Sequence, residues 1–360
     1  MSRIDPIPVL GPDGAVARRM TSYESRTEQL EMATAVATAI ESERHLMVEA
    51  GTGVGKSFAY LVPAILAATE LGKKVVVSTH TISLQEQLIE KDLPFLRAVM
   101  PQEFTAALVK GRSNYVSLRR IDSASSRLPT LFSSPSDLDQ FAEIRLWGGR
   151  TSDGSKADLD FRPSPGVWDA VASEDGNCLG RNCPRYKDCF YFKARRRMWS
   201  ANLLVVNHAL FMSDLALRAS GVSLLPDYQI AILDEAHTLE AVAGDHLGLR
   251  ITGGQFDYLL NRLYNPRSQK GLLVHHRSGD AMGKVQDVRA AAKDFFDEVA
   301  RWRARHGGAN GRLRTALDWP ETVIEELRRL AEAVGVVAEK VKQDEQRVEL
   351  TAMQARCEAL

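Results

Sequence analysis

The chain has 360 residues, of which 44% are hydrophobic and 26% are charged, as in ordinary globular proteins. Its 46 basic and 46 acidic residues balance, so nucleic-acid binding would depend on local patches rather than on an overall field. No apolar run approaches the ~18 residues of a membrane span. Four cysteines, three of them close together, favour a reducing compartment. These features predict two or three domains, a cytoplasmic location and no membrane partner.

Short apolar runs alternate with amphipathic stretches in the first third of the chain. This pattern predicts strands in HLMVEA, KKVVVSTH and FTAALVK, and helices in GKSFAYLVPAILAATEL, which ends at Gly72, and TISLQEQLIEKDLPFLRAV. Strand-like runs return in ANLLVVNHALF and DYQIAILDEAH. Alternating strands and helices predict an α/β fold, in which helices flank a parallel sheet.

Two further regions interrupt or follow this pattern. Residues 111–200 are rich in Ser, Gly, Pro and Asp, which predicts an inserted small domain with weak regular structure. Residues 247–360 are helical and charged, with a heptad-like seam at Val323, Leu327, Leu330, Val334, Val337, Val341 and Val348. A helix of an antiparallel pair explains about four heptads better than a dimeric coiled coil. The predicted domain boundaries are therefore 1–110, 111–200, 201–246 and 247–360.

The segment EAGTGVGKS, residues 49–57, has the form of a phosphate-binding loop between a strand and a helix. Its small residues would let backbone N–H groups surround the phosphates of a nucleotide. Lys56 would reach the β and γ phosphates, and Ser57 would ligate Mg²⁺. The predicted nucleotide-binding residues are Gly51, Thr52, Gly53, Val54, Gly55, Lys56 and Ser57.

The segment IAILDEAH predicts an apolar strand that ends in two carboxylates. Carboxyl ends of parallel strands lie at one edge of the sheet, so both carboxylates would lie beside the phosphate-binding loop. Asp234 would hold Mg²⁺, and Glu235 would orient and deprotonate the attacking water. Together with the loop, this pair predicts hydrolysis of a nucleoside triphosphate.

Two weaker signals gain meaning beside these motifs. Arg26 and Gln29 lie on one predicted helical face, where the amide could read an adenine edge. Ser78, Thr79, Thr81 and Gln85 surround a predicted helix start. They suit contacts to a nucleic-acid backbone, although helix capping explains Thr79 or Thr81 equally well.

The three clustered cysteines, Cys178, Cys183 and Cys189, form a C-x4-C-x5-C array, whereas Cys357 lies far away along the chain. Closed thiolate sites usually need four ligands. The spacing leaves an iron–sulfur cluster and zinc as alternatives, and it is looser than common zinc arms. The array continues into a segment in which basic residues alternate with aromatic ones, including Arg195 to Arg197. It predicts contact with single-stranded DNA, although most of the aromatic side chains are expected in the domain core.

In this order, R-x-x-Q, EAGTGVGKS, STHTISLQEQL, KGRSNYVSLRR, the cysteine array, VVNHALF and DEAH resemble superfamily 2 DNA helicases of the DinG/XPD type. The resemblance covers about residues 10–245 and is nearest to bacterial DinG-like proteins. It implies an ATP- and Mg²⁺-dependent 5′→3′ helicase of DNA repair or replication. Such an enzyme acts as a monomer on single-stranded DNA and duplex/single-strand junctions. Its first RecA-like domain is interrupted by a [4Fe–4S] domain and an arch domain.

The resemblance also implies residue roles. Arg26 and Gln29 match the adenine-reading motif, while Asp234, Glu235 and His237 belong to the catalytic DEAH box together with Lys56 of the loop. Cys178, Cys183 and Cys189 match the last three cluster ligands. Ser117 stands where the family has its first cysteine. We therefore expect weaker or more oxygen-sensitive binding if a cluster forms.

The family's second RecA-like domain and its arginine finger have no counterpart here. Because such an arginine contributes about 10³–10⁵ in rate, we expect this chain to be an N-terminal portion that binds ATP weakly and hardly hydrolyses it. The alternative is a nucleic-acid-binding or scaffolding protein with a relict or partner-dependent ATP site.

Overall fold

The computed structural model describes residues 4–20, 23–51, 53–132, 134–306, 311 and 321–360. The chain divides into two compact units. The first comprises Met1–Gly111 and Phe192–Leu249, and the second comprises Arg112–Tyr191 and Arg250–Leu360. None of the helices in the described ranges is both long enough and apolar enough to cross a membrane.

The strands are β1 (Val75–Thr79), β2 (Ala106–Leu108), β3 (Leu203–Asn207) and β4 (Ile230–Leu233). The α-helices are α1 (Ile7–Leu10), α2 (Ala15–Arg19), α3 (Thr27–Glu41), α4 (Lys56–Glu70), α5 (Ile82–Gln87), α6 (Leu93–Val99), α7 (Leu118–Ser125), α8 (Leu128–Leu131), α9 (Pro135–Gly148), α10 (Pro165–Val171), α11 (Phe190–Ser200), α12 (His208–Arg218), α13 (Leu239–Leu247), α14 (Gly253–Leu263), α15 (Leu272–His275), α16 (Gly279–His306), α17 (Thr322–Lys340) and α18 (Asp344–Ala359). A π-helical turn, Leu88–Asp92, joins α5 to α6.

The first unit contains a parallel sheet with the strand order β2-β3-β1-β4. β1 is buried along its whole length because it pairs with β3 on one side and β4 on the other. On one face, Val75 and Val77 pack with most of α4 in a large apolar core. The prediction of an α/β fold with a parallel sheet flanked by helices is confirmed.

The predicted strand at HLMVEA is wrong. Residues 45–50 have no regular secondary structure, and Met47 is 97% exposed. An apolar run becomes a strand only where a neighbour supplies the other half of its backbone hydrogen bonds. In the described residues β4 is an edge strand, and residues 45–50 do not pair with it.

The other predicted strands and helices of the first unit are present, with shorter bounds. The predicted helix over residues 81–99 consists of α5, the π-helical turn and α6. Thr81 caps α5, because its side chain accepts a hydrogen bond from the Leu84 N–H at 3.2 Å. Capping therefore explains Thr81, and the buried Thr79 is the last residue of β1.

The expectation of weak regular structure in the insertion is wrong, because residues 118–171 form four helices. Ser117, Ser134 and Ser164 each cap a helix by accepting a hydrogen bond from a backbone N–H. At Ser134 and Ser164 the next residue is proline, which is favoured in the first turn of a helix. Serine and proline, which are common in loops, stand at helix starts here.

The C-terminal helices belong to the same unit as the insertion. α17 and α18 form a helical pair joined by three residues, which confirms the prediction of a helical pair. The seam residues from Val323 to Val337 are buried in the core of this unit, whereas Val341 and Val348 are half-buried. Cys357 is also buried there, and burial raises the pKa of its thiol to about 12.

A buried ionic cluster joins the insertion to the C-terminal helices of the second unit. Glu174 lies 3.2 Å from Arg120 Nη1 and 3.1 Å from Arg262 Nη2, and it also pairs with Arg356. Burial alone would raise the pKa of the Glu174 carboxyl, but the charges of these three arginines lower it. One ionised carboxylate is thus shared by three arginines and offsets part of their charge.

Replacing Glu174 by glutamine should destabilise the second unit, because buried arginines would lose their counter-charge. Breaking a buried ion pair typically costs about 3–5 kcal/mol, so E174Q should lower the urea midpoint markedly. The control is D287N, which removes the partner of Lys284 in a pair that is half exposed; such pairs contribute little. Equal midpoints for the two variants would contradict the importance of the cluster.

Candidate nucleotide-binding site

The phosphate-binding loop turns into α4 through two glycines in the left-handed region. Gly53 has φ of 83° and Gly55 has φ of 85°, and α4 begins at Lys56. A Cβ on Gly55 would lie 2.1 Å from Gln29 Nε2, so only glycine fits at this position. At Gly51 and Gly53 a Cβ would meet nothing within 4 Å, which leaves that side of the loop open. Val54 is half-buried, and Thr52 lies outside the described residues.

Gln29 is buried, and its side chain is hydrogen-bonded to the phosphate-binding loop. Its Nε2 donates to the Gly55 carbonyl oxygen at 2.9 Å, and Tyr23 Oη donates to its Oε1 at 3.4 Å. Arg26 is exposed and lies 3.6 Å from Glu24. The amide of Gln29 therefore has its two ends engaged inside the protein. Its predicted role in reading adenine stays a prediction.

The DEAH segment follows β4 and lies beside the phosphate-binding loop. Lys56 Nζ lies 3.9 Å from Glu235 Oε1 and donates to the Ala50 carbonyl oxygen at 3.2 Å. Glu235 has φ of 54°, a strained conformation for a residue with a side chain. The ring of His237, which is exposed, has its Nδ1 atom 3.6 Å from Glu235 Oε2.

Asp234 lies deeper than Glu235 and contacts α4. Its Oδ2 accepts a hydrogen bond from Tyr60 Oη at 3.3 Å, although the two residues are 174 positions apart. Burial, and then the charge of Glu235, raise the pKa of Asp234, while Tyr60 and Lys56 oppose the shift. A carboxylate in such surroundings is stabilised by an approaching cation.

The sequence did not single out Tyr60 or Asp92. Burial raises the pKa of Tyr60, and Ser57 opposes that rise. Burial raises the pKa of Asp92, and hydrogen bonds from Gln87 and Ser57 oppose that rise. Tyr60 could have been found, because it lies one helical turn after Lys56 and Ser57. Asp92 could not, because the π-helical turn that carries it leaves no sequence pattern.

These residues fit a magnesium nucleotide. The Ser57 hydroxyl and the Asp234 carboxylate are hard oxygen donors of the type that Mg²⁺ prefers. The open side of the loop and the N-terminus of α4 suit phosphate groups. The structure thus brings Lys56, Asp234 and Glu235 close together, with Gln29 hydrogen-bonded to the loop.

The cysteine array does not fit a metal centre in this arrangement. Cys178, Cys183 and Cys189 are half-buried, and Cys178 Sγ accepts a hydrogen bond from the Gly180 N–H at 3.4 Å. Ser117 Oγ accepts a hydrogen bond from the Arg120 N–H at 3.4 Å as the cap of α7. Across the described ranges, no three His, Cys, Asp or Glu side chains are grouped to hold a metal ion. The arrangement supports neither the [4Fe–4S] cluster nor zinc.

The basic segment after the array is partly engaged inside the protein. Phe190 is buried, and Arg112 lies over the Tyr191 ring at 4.3 Å. Arg195 donates to the Leu224 carbonyl oxygen. Arg196 and Arg197 are exposed on α11, and Trp199 beside them is 54% exposed. The expectation that aromatic side chains lie inside therefore holds for Phe190 but not for Trp199.

A glycine-bounded loop at a helix start, with carboxylates at the end of a neighbouring parallel strand, is typical of P-loop nucleotide-binding proteins. Comparison with known protein families narrows this class of proteins further. Residues 31–151 match the DEAD/DEAH box helicase family, and residues 173–256 match the DEAD_2 family.

Among curated relatives, the chain is 39% identical over 317 residues to the ATP-dependent DNA helicase YoaA of Escherichia coli K12, covering 86% of this chain and 47% of the relative. It is 33% identical to YoaA of Haemophilus influenzae (81% and 45%) and 36% identical to DinG of Salmonella typhimurium (88% and 47%). The predicted resemblance to DinG-like helicases is confirmed. The chain spans about half the length of these relatives.

Replacing Gln29 by alanine should weaken nucleotide binding by about tenfold, since a hydrogen bond that shapes the loop contributes roughly 0.5–1.5 kcal/mol. Because Gln29 contacts the loop backbone, Q29A should weaken ATP and GTP binding equally in a titration with fluorescent analogues. Q102A, which removes a hydrogen bond to Glu70 on the surface, is the control. Loss of ATP binding alone would contradict the loop role and favour adenine reading.

Proposed function

We propose that this chain supplies the ATP-binding portion of a 5′→3′ DNA helicase, which couples ATP hydrolysis to movement along single-stranded DNA and to duplex unwinding in repair or replication. The single observation that carries the proposal is the convergence of Lys56 with Asp234 and Glu235 from distant parts of the chain. The similarity to proteins named ATP-dependent DNA helicase supports it. A cytoplasmic location and a monomeric state belong to the same proposal.

In the proposed mechanism, Lys56 changes partners. In the structure Lys56 pairs with Glu235 and with the Ala50 carbonyl oxygen. When a triphosphate occupies the loop, Lys56 neutralises its terminal phosphates and releases the Glu235 carboxylate. Glu235 then accepts a proton from the attacking water, while His237 orients that carboxylate.

Ser57 and Asp234 would hold Mg²⁺, which lowers the repulsion among phosphate oxygens in the transition state. Tyr60 would fix the orientation of the Asp234 carboxylate, to which it donates a hydrogen bond. Arg26 and Gln29 would lie toward the base. Gly51, Thr52, Gly53, Val54 and Gly55 would surround the phosphates.

We propose that the first motor domain comprises residues 1–110 and 201–246, separated by the insertion 111–200 and followed by the arch-like helices 247–360. The division into compact units supports similar boundaries and groups both added segments in one unit. The residues assigned to a cluster do not form a ligand set here. No step of the proposed mechanism uses one.

The second candidate is a relict or partner-dependent ATP site in a nucleic-acid-binding or scaffolding protein. The coding sequence beyond Leu360 distinguishes the two. An open frame that encodes a second motor domain supports the helicase, and a stop codon supports the alternative.

Removing single charges should separate nucleotide binding from hydrolysis. K56A should abolish binding of a fluorescent ATP analogue to the chain, whereas E235Q should bind it and should lower any DNA-stimulated hydrolysis by about 10²–10⁴-fold, as for loss of a general base. E240Q on the exposed surface of α13 is the control. Unchanged binding in K56A would exclude the proposed loop.

Charge reversal on α11 should weaken binding to single-stranded DNA. Each lost phosphate contact should reduce the magnitude of the slope of log affinity against log salt by about 0.7. The variant R196E/R197E avoids Arg195, whose bond to Leu224 is structural, and R303E/R305E on α16 reverses two other exposed arginines. Fluorescence anisotropy with an oligonucleotide should show a smaller slope only for the first variant. Equal slopes would exclude α11 from the DNA contact.

A further inference from the structure

His208, in the VVNHALF segment, is a buried residue that the proposed mechanism does not yet use. It is the first residue of α12, directly after β3, and only 1% of it is exposed. Its Nδ1 lies 2.7 Å from Ser78 Oγ, a hydrogen bond between β1 and the start of α12. Its Nε2 is buried without a hydrogen-bond partner among the described residues.

Ser78 connects this histidine to the DEAH segment. The Ser78 carbonyl oxygen accepts a hydrogen bond from the Asp234 N–H at 2.8 Å. In the sheet, Ser78 is paired with Val206 of β3 and with Leu233 of β4. Ser78 therefore bonds to Asp234, the proposed magnesium ligand, through its own carbonyl oxygen, and to His208 through its hydroxyl.

A role in packing alone does not explain a histidine at this position. Burying a polar nitrogen without a partner destabilises the fold, and an apolar side chain of similar size would avoid that cost. The ring also lies beside the nucleotide site. Ser78, to which the ring is bonded, accepts a hydrogen bond from the Asp234 N–H, and the ring of His80 is 6.1 Å away. Burial lowers the pKa of His208.

We propose that His208 is a positioning residue, which fixes the main chain at Asp234 through Ser78 and thereby sets how strongly Mg²⁺ strengthens nucleotide binding. This inference rests on the proposed ATP site. His208 touches neither nucleotide nor metal in it. His208 would act on the position of Asp234, as residues that hydrogen-bond to metal ligands do in other proteins.

The test measures the dissociation constant of a fluorescent ATP analogue with the whole chain, with Mg²⁺ and with EDTA. The ratio of the two constants reports the contribution of Mg²⁺. Loss of a supporting partner typically costs about 10–100-fold in metal affinity, so H208A should reduce the ratio by about tenfold while the constant in EDTA stays within about twofold. S78A should reproduce the effect, and H208A/S78A should be no worse than either single variant, because all three break one link.

Two further variants separate positioning from general destabilisation. H208N keeps a polar atom near the position of Nδ1 and should restore most of the ratio. The chain also offers a matched serine–histidine pair on its surface, Ser213 Oγ and His246 Nδ1, 3.1 Å apart. H246A should leave the ratio unchanged.

The outcomes are distinct. If wild-type protein binds no nucleotide, the proposed function fails, and this inference fails with it. If the wild type binds and H208A keeps the full ratio, only the role of His208 is excluded. If H208A weakens binding equally with Mg²⁺ and with EDTA and also lowers the melting temperature, the residue is merely structural, and the inference is likewise overturned.

Discussion

The pairing of β1 with β3 and β4 is the constraint on which the candidate site depends. β1 is the only strand in the described ranges that pairs with both β3 and β4. Its register with β4 sets Ser78 opposite Leu233, so the next residue, Asp234, leaves the sheet beside α4. Parallel pairing of this kind has no local turn to guide it, and it brings together segments that are far apart in sequence. If β4 shifted by one residue against β1, its alternating side chains would change faces, and Asp234 would lose Tyr60.

The sequence predicted the parts of the site that depend on local chemistry. The loop glycines, Lys56, Ser57 and the Asp234–Glu235 pair could be predicted because each has a short pattern and a fixed place at a strand or helix end. Tyr60 lies one helical turn after Lys56 and Ser57 and could have been found. His208, in contrast, acquires its meaning from Ser78, a distant partner that the local sequence does not indicate. For residues 45–50 the sequence predicts a strand that the structure does not contain. These apolar residues resemble a strand, but no backbone partner in the described residues makes them one.

In the insertion, amino-acid composition predicted weak regular structure, and the helices of the second unit show why this prediction is wrong. Serine, proline and aspartate are common in loops, but at helix starts they serve as caps and first-turn residues. The same residues therefore support α7, α9 and α10. Buried polar contacts also link parts of this unit. Arg119 donates to the carbonyl oxygen and to Oδ1 of Asn177, and Arg120 pairs with Glu174, so the segment just before Cys178 is attached to α7.

Electrostatics explains how a site that collects so many charges can exist before a nucleotide binds. Asp234 and Glu235 are adjacent carboxylates, and burial disfavours the charged form of Asp234. The Lys56 ammonium, 3.9 Å from Glu235, offsets part of this repulsion. Lys56 is also the residue that a triphosphate would attract most strongly. Binding would therefore remove the counter-charge of the carboxylates just when Mg²⁺ arrives to replace it. A preference for the magnesium complex over free nucleotide would then follow from the charge balance of the site together with the proposed metal ligands, Ser57 and Asp234.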